Sequence, residues 1–198
     1  MSSTTPIHAH HHAVQFYGEK SELCQSIGSF LIEGLVGLQP AIVIATPLHV
    51  QAIVDELSAR HIDVAKARKI GDLVVLDAED ALATFMSNGS PDPELFRRNI
   101  GGILEQAIRG RERTPVRAYG EMVDVLWKKG QTEAAIKLEV LWNELANQFA
   151  FSLLCGYAIG NFYKQSSDMD AVIAQHTHVI GTTDKVVSFA EARAALAK

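Results

Sequence analysis

The chain of 198 residues has few of the features that would assign it to a specialised class of protein. Its two cysteines, Cys24 and Cys155, fall within a predicted helix and a predicted strand, so we expect reduced, buried thiols and no disulfide framework. No apolar run reaches the roughly 18 residues of a membrane span, and the first residues lack the charged and then apolar pattern of a secretory signal. These absences favour a cytoplasmic protein without a membrane partner.

The chain also has no excess of positive charge, because it contains 18 lysines and arginines and 23 aspartates and glutamates. Binding of nucleic acid by phosphate neutralisation needs a broad positive field, so we expect no direct contact with nucleic acid. Nucleophilic hydrolase chemistry has little support either, since no G-x-S-x-G motif occurs and Cys155 lies within a strand. The apolar share of 47% and the length are those of one ordinary globular domain.

Strands and helices alternate along the sequence. Most predicted strands are apolar throughout and rich in β-branched residues, which is typical of parallel strands covered on both faces. The helices between them carry one apolar stripe each. We therefore predict an α/β fold with a mostly parallel sheet of five or slightly more strands and helices on both faces. The predicted strands are 13–17, 41–46, 73–77, 116–119 and 151–157; residues 1–11 are expected to be a disordered tail, 12–180 the domain, and 181–198 a tail or peripheral helix.

The stretch V-R-A-Y-G-E-M-V-D-V-L-W, residues 116–127, changes from strand to helix at Gly120 and leaves Glu121 at the joint. Ligands of open α/β sheets bind beyond the carboxyl ends of the strands, which predicts a site beside this joint. An apolar, aromatic pocket with few polar groups suits a small, weakly polar molecule. The predicted ligand-binding residues are His12, Gln15, Phe16, Tyr17, His49, Arg117, Tyr119, Glu121, Trp142 and Tyr157. Alternatively, Arg117 forms a structural ion pair with Glu121 or Glu139.

The histidines of the sequence suggest a second kind of site, one that binds a metal or haem. The run H-A-H-H-H at 8–12 has ligands suited to zinc, copper, nickel or iron, although such a tail is more often mobile, and only His12 adjoins a strand. In an extended segment, the two histidines of H-T-H at 176–178 would face one way, as two metal ligands require. No carboxylate or cysteine lies near them in sequence, so no metal is expected. The candidates for a metal or haem site are His12, Cys155, His176 and His178.

Six segments, in this order and spacing, resemble the MEDS domain, a sensory domain of methanogens and methylotrophs. The resemblance covers about residues 12–180. It implies a ligand-sensing module for hydrocarbon derivatives, often joined in bacteria and archaea to a histidine kinase or a DNA-binding domain. The segments are H-A-V-Q-F-Y (12–17), F-L-I-E-G-L (30–35), P-A-I-V-I-A-T-P-L-H (40–49), L-V-V-L-D-A (73–78), the joint at 116–127 and L-E-V-L-W-N-E-L (138–145).

Residues 30–77 also resemble KaiC-like and RecA-like ATPases, which implies a RecA-like three-layer sandwich. A phosphate-binding loop needs G-x-x-x-x-G-K-[ST]. Here Ala13 stands at the first glycine, and Glu19 takes the place of the lysine after Gly18. A carboxylate there would repel phosphate, so we expect a degenerate loop, no ATP cofactor and no enzyme activity.

Two hypotheses about function follow from these residues and resemblances. The first is a non-catalytic sensor of a small, weakly polar ligand that signals to a partner, either a histidine kinase or a transcription regulator. The second is a protein-interaction module without a small ligand. A metal-based or haem-based sensor is a further alternative, and a homodimer is compatible with all three. The sequence contains no kinase, receiver or DNA-binding segment, so we expect the output to pass through a partner.

Overall fold

The computed structural model describes residues 11–111, 114–162, 166–180 and 186–187. Within these residues, seven strands form one sheet and two more form a small hairpin. The strands are β1 His11–Tyr17, β2 Ala41–Ala45, β3 Leu73–Asp77, β4 Met86–Ser87, β5 Ser90–Pro91, β6 Val116–Gly120, β7 Phe151–Ala158, β8 His178–Ile180 and β9 Val186–Val187. The order in the large sheet is β3-β2-β6-β7-β1-β8-β9.

Helices occupy most of the connections between these strands. Asp92 shows how the sequence sets one boundary, because its carboxylate accepts the N–H of Leu95 at 2.9 Å and Pro93 begins the helix. The helices are α1 Lys20–Val36, α2 Pro47–Ala59, α3 Val64–Ile70, α4 Ala78–Ala83, α5 Pro93–Ile108, α6 Met122–Lys128, α7 Thr132–Leu145 and α8 Ser166–Ile173, with a 3-10 helix at Ile159–Phe162.

The large sheet is parallel at every pairing except that of β8 with β9. One face packs on α1, α2 and α3, and the other packs on α4 to α8. Alternate residues of each strand therefore enter two separate cores, as the two-residue repeat of a strand requires. The predicted α/β class, with a mostly parallel sheet and helices on both faces, is confirmed.

Several short elements differ from the sequence expectation. Helix α3 and the hairpin of β4 and β5 were not predicted, because neither is long enough to show a hydrophobic period. The beginning of α3 nevertheless has a signal, since Asp63 accepts the N–H of Lys66 at 2.9 Å. Val186–Val187 forms the edge strand β9 and not a helix. The predicted tail at 1–10, and the segment from 181 onward apart from β9, lie outside the described residues.

Among the described residues, no helix combines the length and apolarity that crossing a membrane would need. The interior is apolar except for a small set of buried polar side chains. These fall at three places: the carboxyl ends of the central strands, the face of β1 and β7 that packs on α7, and the contact of β1 with α1. The buried polar and charged residues are His12, Gln15, Ser26, His49, Glu121, Asp124 and Glu139.

Candidate functional site

Glu121 is the centre of a hydrogen-bonded group at the carboxyl ends of β2 and β6. Its side chain is only 3% exposed. One carboxylate oxygen, Oε1, accepts the backbone N–H of Thr46 at 2.5 Å, and the other, Oε2, lies 2.5 Å from Nδ1 of His49. The hydroxyl of Tyr119 also donates to Oε2, at 3.2 Å. Glu121 therefore joins the end of β6 to the beginning of α2.

This environment keeps the Glu121 carboxyl ionised. Burial raises its pKa, but the hydrogen bonds with His49 and Thr46 outweigh that effect, so the pKa lies below its ordinary value. Burial and the neighbouring carboxylates raise the pKa of Tyr17 and of Tyr119 well above 10. Both phenols therefore remain hydroxyl donors at neutral pH.

Asp124 forms a second buried carboxylate group next to the first. Its Oδ1 accepts the backbone N–H of Ala158 at 3.0 Å and the amide of Asn161 at 2.7 Å. Its Oδ2 lies 2.6 Å from Nζ of Lys128, and the Tyr17 hydroxyl donates to it at 3.4 Å. These contacts fix α6 to the carboxyl ends of β1 and β7. We refer to Tyr17, His49, Tyr119, Glu121 and Asp124 as the carboxyl-end cluster.

Arg117 was predicted beside this site, and the structure places it elsewhere. It lies near the amino end of β6, whereas Glu121 follows the carboxyl end. The four residues of strand between these two positions span about 13 Å. The guanidinium donates to Gln39 at 2.8 Å and to Glu33 at 3.3 Å, and it stacks over the ring of Phe30. The predicted ion pairs of Arg117 with Glu121 or Glu139 are wrong.

The remaining predicted ligand residues lie along the strands or inside the core. Gln15 faces α1 and donates to the hydroxyl of Ser26 at 3.0 Å. Trp142 packs edge-on against Phe96 within the core. An aromatic group does form on the α6 and α7 face of β1 and β7; it consists of Phe16, Trp127, Tyr157 and Phe162.

His12 lies in a different buried group, which we call the interior cluster. Its Nε2 lies 3.2 Å from Oε2 of Glu139 and 3.4 Å from Sγ of Cys155. His176 completes the cluster, with Nε2 at 3.4 Å from Oε1 of Glu139, and the Tyr157 hydroxyl donates to the same oxygen at 2.8 Å. The side chains of His12, Glu139 and His176 have no solvent exposure. These residues come from β1, α7, β7 and the turn after α8.

Burial raises the pKa of Glu139, but His176, His12 and Tyr157 together lower it to about 2. Burial lowers the pKa of His176 to about 4, so this imidazole is neutral at physiological pH. The thiol of Cys155 remains protonated because burial and the Glu139 carboxylate raise its pKa. The cluster thus contains one carboxylate, one thiol and at least one neutral imidazole.

His178 does not join this cluster, contrary to the expectation for the H-T-H segment. The chain leaves α8 before His176 and enters β8 at His178, so the segment is not one continuous strand and the two rings occupy different surroundings. The ring of His178 packs 5.3 Å from that of His11. A cation held by His176 and His178 together is therefore incompatible with this arrangement.

Sequence reasoning did not include Asp124 in a site, and it considered Glu139 only as an ion-pair partner of Arg117. Glu139 has a detectable signal, because Ala135, Leu138 and Trp142 are its neighbours on the buried stripe of α7. A carboxylate on such a stripe must have partners in the core. Asp124 has a similar signal, since it lies within a helix whose residues from Met122 to Trp127 are all buried.

The sequence profile of the MEDS family, the methanogen/methylotroph, DcmR sensory domain, matches residues 11–177. The chain belongs to the MEDS family. A sensory signalling role follows from this membership. Among curated proteins, none matches the chain.

Solved structures with a similar fold were found for this MEDS domain. An uncharacterised Pyrococcus horikoshii protein, PH0321, in complex with an unknown peptide, matches with a TM-score of 0.63 and 13% identity over 92% of this chain and 85% of that chain. The KaiC-like protein PH0186 of Pyrococcus horikoshii OT3 matches with a TM-score of 0.52 and 12% identity over 85% and 70%. At these identities the similarity concerns the fold, which is that of KaiC-like proteins.

Proposed function

We propose that this MEDS domain is a non-catalytic sensor that binds a small, weakly polar molecule at the carboxyl-end cluster. The observation that carries the proposal is the position of Glu121. It lies where parallel α/β sheets bind ligands, and both of its oxygens hold groups at the beginning of α2. A ligand that competes for His49 or Tyr17 would change how α2 is held against β6.

The surroundings of the cluster suit a small and weakly polar ligand. The Tyr17 hydroxyl, whose hydrogen bond to Asp124 is long at 3.4 Å, offers a polar group, and the ring of Tyr17 lies edge-on to that of His49 at 5.9 Å. Leu48, next to His49, is 65% exposed and gives the rim an apolar side chain. Few polar groups combined with aromatic and apolar walls are typical of sites for such molecules.

The connection between β1 and α1 supports a role without ATP hydrolysis. The strand ends at Tyr17 and the helix begins at Lys20, so only Gly18 and Glu19 connect them. A phosphate-binding loop surrounds the phosphates with several backbone N–H groups of a longer glycine-rich loop. Two residues leave no room for such a loop, and the Glu19 carboxylate would repel phosphate. We include the absence of enzyme activity in the proposal.

We further propose that the signal passes to a protein partner, a histidine kinase or a transcription regulator, as the family resemblance implies. The alternative is a protein-interaction module without a small ligand. The peptide bound to PH0321, a protein of similar fold, favours that alternative. The two readings differ in one measurable respect, because only the sensor is stabilised by small molecules.

A thermal-shift series tests the sensor proposal. The probes are short alcohols, halomethanes and methylated amines, chosen as simple hydrocarbon derivatives. We expect at least one class to raise the Tm of the wild-type chain, and both Glu121→Gln and His49→Ala to lose the shift. Arg117→Ala is the matched control, because it removes a charged side chain of the same sheet at the opposite end of β6. Equal shifts in all four proteins would remove the site, and no shift with any probe would favour the interaction module.

A further inference from the structure

We propose that His12, Glu139, Cys155 and His176 form a binding site for a divalent transition-metal ion, for which zinc has the best-matched chemistry. Each residue offers one ligand atom, and these four atoms all lie within 4.8 Å of one another. The inference does not depend on the carboxyl-end cluster, which uses none of these residues.

Three of the six separations between the ligand atoms are close to those of a tetrahedral site. Metal bonds of about 2.0–2.3 Å to nitrogen, oxygen and sulfur, at tetrahedral angles, place neighbouring ligand atoms about 3.3–3.6 Å apart. His12 Nε2 lies 3.2 Å from a Glu139 oxygen and 3.4 Å from Cys155 Sγ, and that sulfur lies 3.5 Å from the same oxygen. The fourth ligand atom, Nε2 of His176, lies within 4.8 Å of the other three and would move towards a cation bound among them.

The orientation of His12 leaves its Nε2 lone pair directed into the cluster. The amide of Asn143 donates to the carbonyl of Gln175 at 2.9 Å, which fixes its oxygen on the opposite side. That oxygen lies 2.9 Å from His12 Nδ1, so Nδ1 carries the proton. Histidine ligands of metals commonly donate their other N–H to an oxygen in this way.

His176 has the same arrangement. Its Nδ1 lies 2.8 Å from the carbonyl oxygen of Val172, which can only accept, so Nδ1 carries the proton. The buried Nε2 then has a lone pair and has no hydrogen-bond partner among the described residues. An oxygen of Glu139, which is also an acceptor, lies 3.4 Å from it. Two facing acceptors that are both buried are stabilised by a hydrogen donor or a cation between them.

The hydrogens of the cluster do not reach Nε2 of His176. Cys155 and Tyr157 each donate to an oxygen of Glu139, and Nε2 of His176 has no hydrogen-bond partner among the described residues. A divalent cation satisfies all four groups. On binding, the Cys155 proton leaves to solvent, and the thiolate and the Glu139 carboxylate together balance the charge of the ion.

The ligand types indicate zinc. One thiolate, two imidazoles and one carboxylate form a mixed set of intermediate softness, which suits Zn²⁺ better than Mg²⁺ or Ca²⁺. Four protein ligands leave no open position, and a closed site of this kind is typical of a structural metal. The ion would tie β1 and β7 to α7 and to the turn after α8.

The test loads the full chain, after removal of metal with a chelator, with Zn²⁺ alone or Co²⁺ alone. We expect one Zn²⁺ per chain at this site by elemental analysis, and a thiolate-to-cobalt charge-transfer band with visible bands of tetrahedral cobalt. Cys155→Ser should abolish the charge-transfer band. His176→Gln and Glu139→Gln should each lower zinc affinity by more than about 100-fold, and Asn143→Ala by about 10–100-fold, as expected for a residue that only orients a ligand.

Three control variants separate this site from other sources of metal binding. Cys24→Ser removes the other buried thiol, and His178→Gln removes the histidine that lies outside the cluster. A triple change of His8, His10 and His11 to glutamine removes the histidines of the N-terminal run and retains His12. All three should keep the cobalt band and the zinc site, and far-UV circular dichroism checks the fold of every variant.

The proposal is overturned if the wild-type chain shows no cobalt–thiolate band, or if zinc binding is lost only in the N-terminal triple variant. It is also overturned if Cys155→Ser retains the charge-transfer band. If Cys155→Ser does not fold, the two glutamine variants decide, because they keep the size of the side chains. Unchanged zinc affinity in both would contradict the site.

Discussion

Nδ1 of His49 lies 2.5 Å from Oε2 of Glu121, and this contact joins the first turns of α2 to the end of β6. His49 and Glu121 are 72 residues apart in sequence, and parallel pairing of β2 with β6 brings them together. The same carboxylate holds the N–H of Thr46. The Glu121 side chain therefore links the carboxyl ends of β2 and β6 to the beginning of α2.

Removal of the Glu121 carboxylate should destabilise the fold. We expect Glu121→Ala to lower the free energy of unfolding by about 3 kcal/mol, because His49 and the Thr46 N–H lose a buried charged partner. The matched control is Glu33→Ala, whose carboxylate pairs with Arg117 and is 71% exposed; its cost should stay below about 1 kcal/mol. Urea unfolding of both variants measures the difference. Equal losses would show that the buried contacts add nothing.

The contribution of Glu121 to stability should depend on pH. Its pKa is lower in the folded chain than the ordinary value of about 4.3 for an unfolded glutamate. The ionised carboxylate therefore stabilises the fold above that ordinary value, and the stabilisation is lost as the pH falls towards the folded pKa. The stability difference between wild type and Glu121→Gln should shrink when unfolding is measured from pH 6 down to pH 3. A difference that is constant over this range would contradict the prediction.

Gly156 in β7 controls the position of Tyr119. A Cβ atom at Gly156 would lie 2.7 Å from the Tyr119 hydroxyl oxygen and 3.3 Å from Cδ1 of Leu23. We expect Gly156→Ala to lower the free energy of unfolding by about 1–3 kcal/mol through overpacking and displacement of the phenol from Glu121. Gly102→Ala is the control, since Gly102 lies on the exposed side of α5 with no atom within 4 Å of the added carbon. Gly102→Ala should raise the free energy of unfolding by about 0.5–1 kcal/mol. Equal effects of the two substitutions in chemical denaturation would refute the packing argument.

Asp124 should be as important to stability as Glu121. Asp124→Ala leaves the Ala158 N–H and the Asn161 amide without their acceptor, and we expect a loss of about 2–4 kcal/mol in the free energy of unfolding. Asp55→Ala removes an exposed carboxylate that accepts from Gln51 along α2, so it should change stability by less than about 0.5 kcal/mol. Thermal and urea unfolding compare the two. A small effect of Asp124→Ala would mean that water replaces its donors.

The strands of the central sheet could be predicted from sequence because continuous apolar runs are typical of buried parallel strands. The contact of His49 with Glu121 could also be predicted from the sequence. Both residues follow the carboxyl end of a strand, and parallel strands end at the same edge of the sheet. The prediction for Arg117 was wrong because Arg117 lies near the amino end of β6. Only residues near the carboxyl end of a strand reach the crevice. Strands β8 and β9 are too short for a hydrophobic period to show.

Sequence reasoning grouped three members of the interior cluster, His12, Cys155 and His176, but it did not include Glu139 with them. His12 and His176 are 164 positions apart, and their meeting depends on the pairing of β1 with both β7 and β8 and on the packing of α8 against α7. A hydrophobic stripe shows which face of α7 is buried, but it does not show which strand lies against that face. The carboxylate of Glu139 on the stripe was a further sign that the core near α7 has a polar centre.

The most direct test of the sensor account is an amide NMR titration of the isotope-labelled chain with the most stabilising small probe. Binding at the carboxyl-end cluster should shift the backbone amide signals of Thr46, His49 and Glu121, whereas the signals of Val116 and Arg117 at the opposite end of β6 should stay in place. Shifts confined to other parts of the chain, or no saturable shift at Thr46 and Glu121, would contradict the assignment of the ligand site to this cluster.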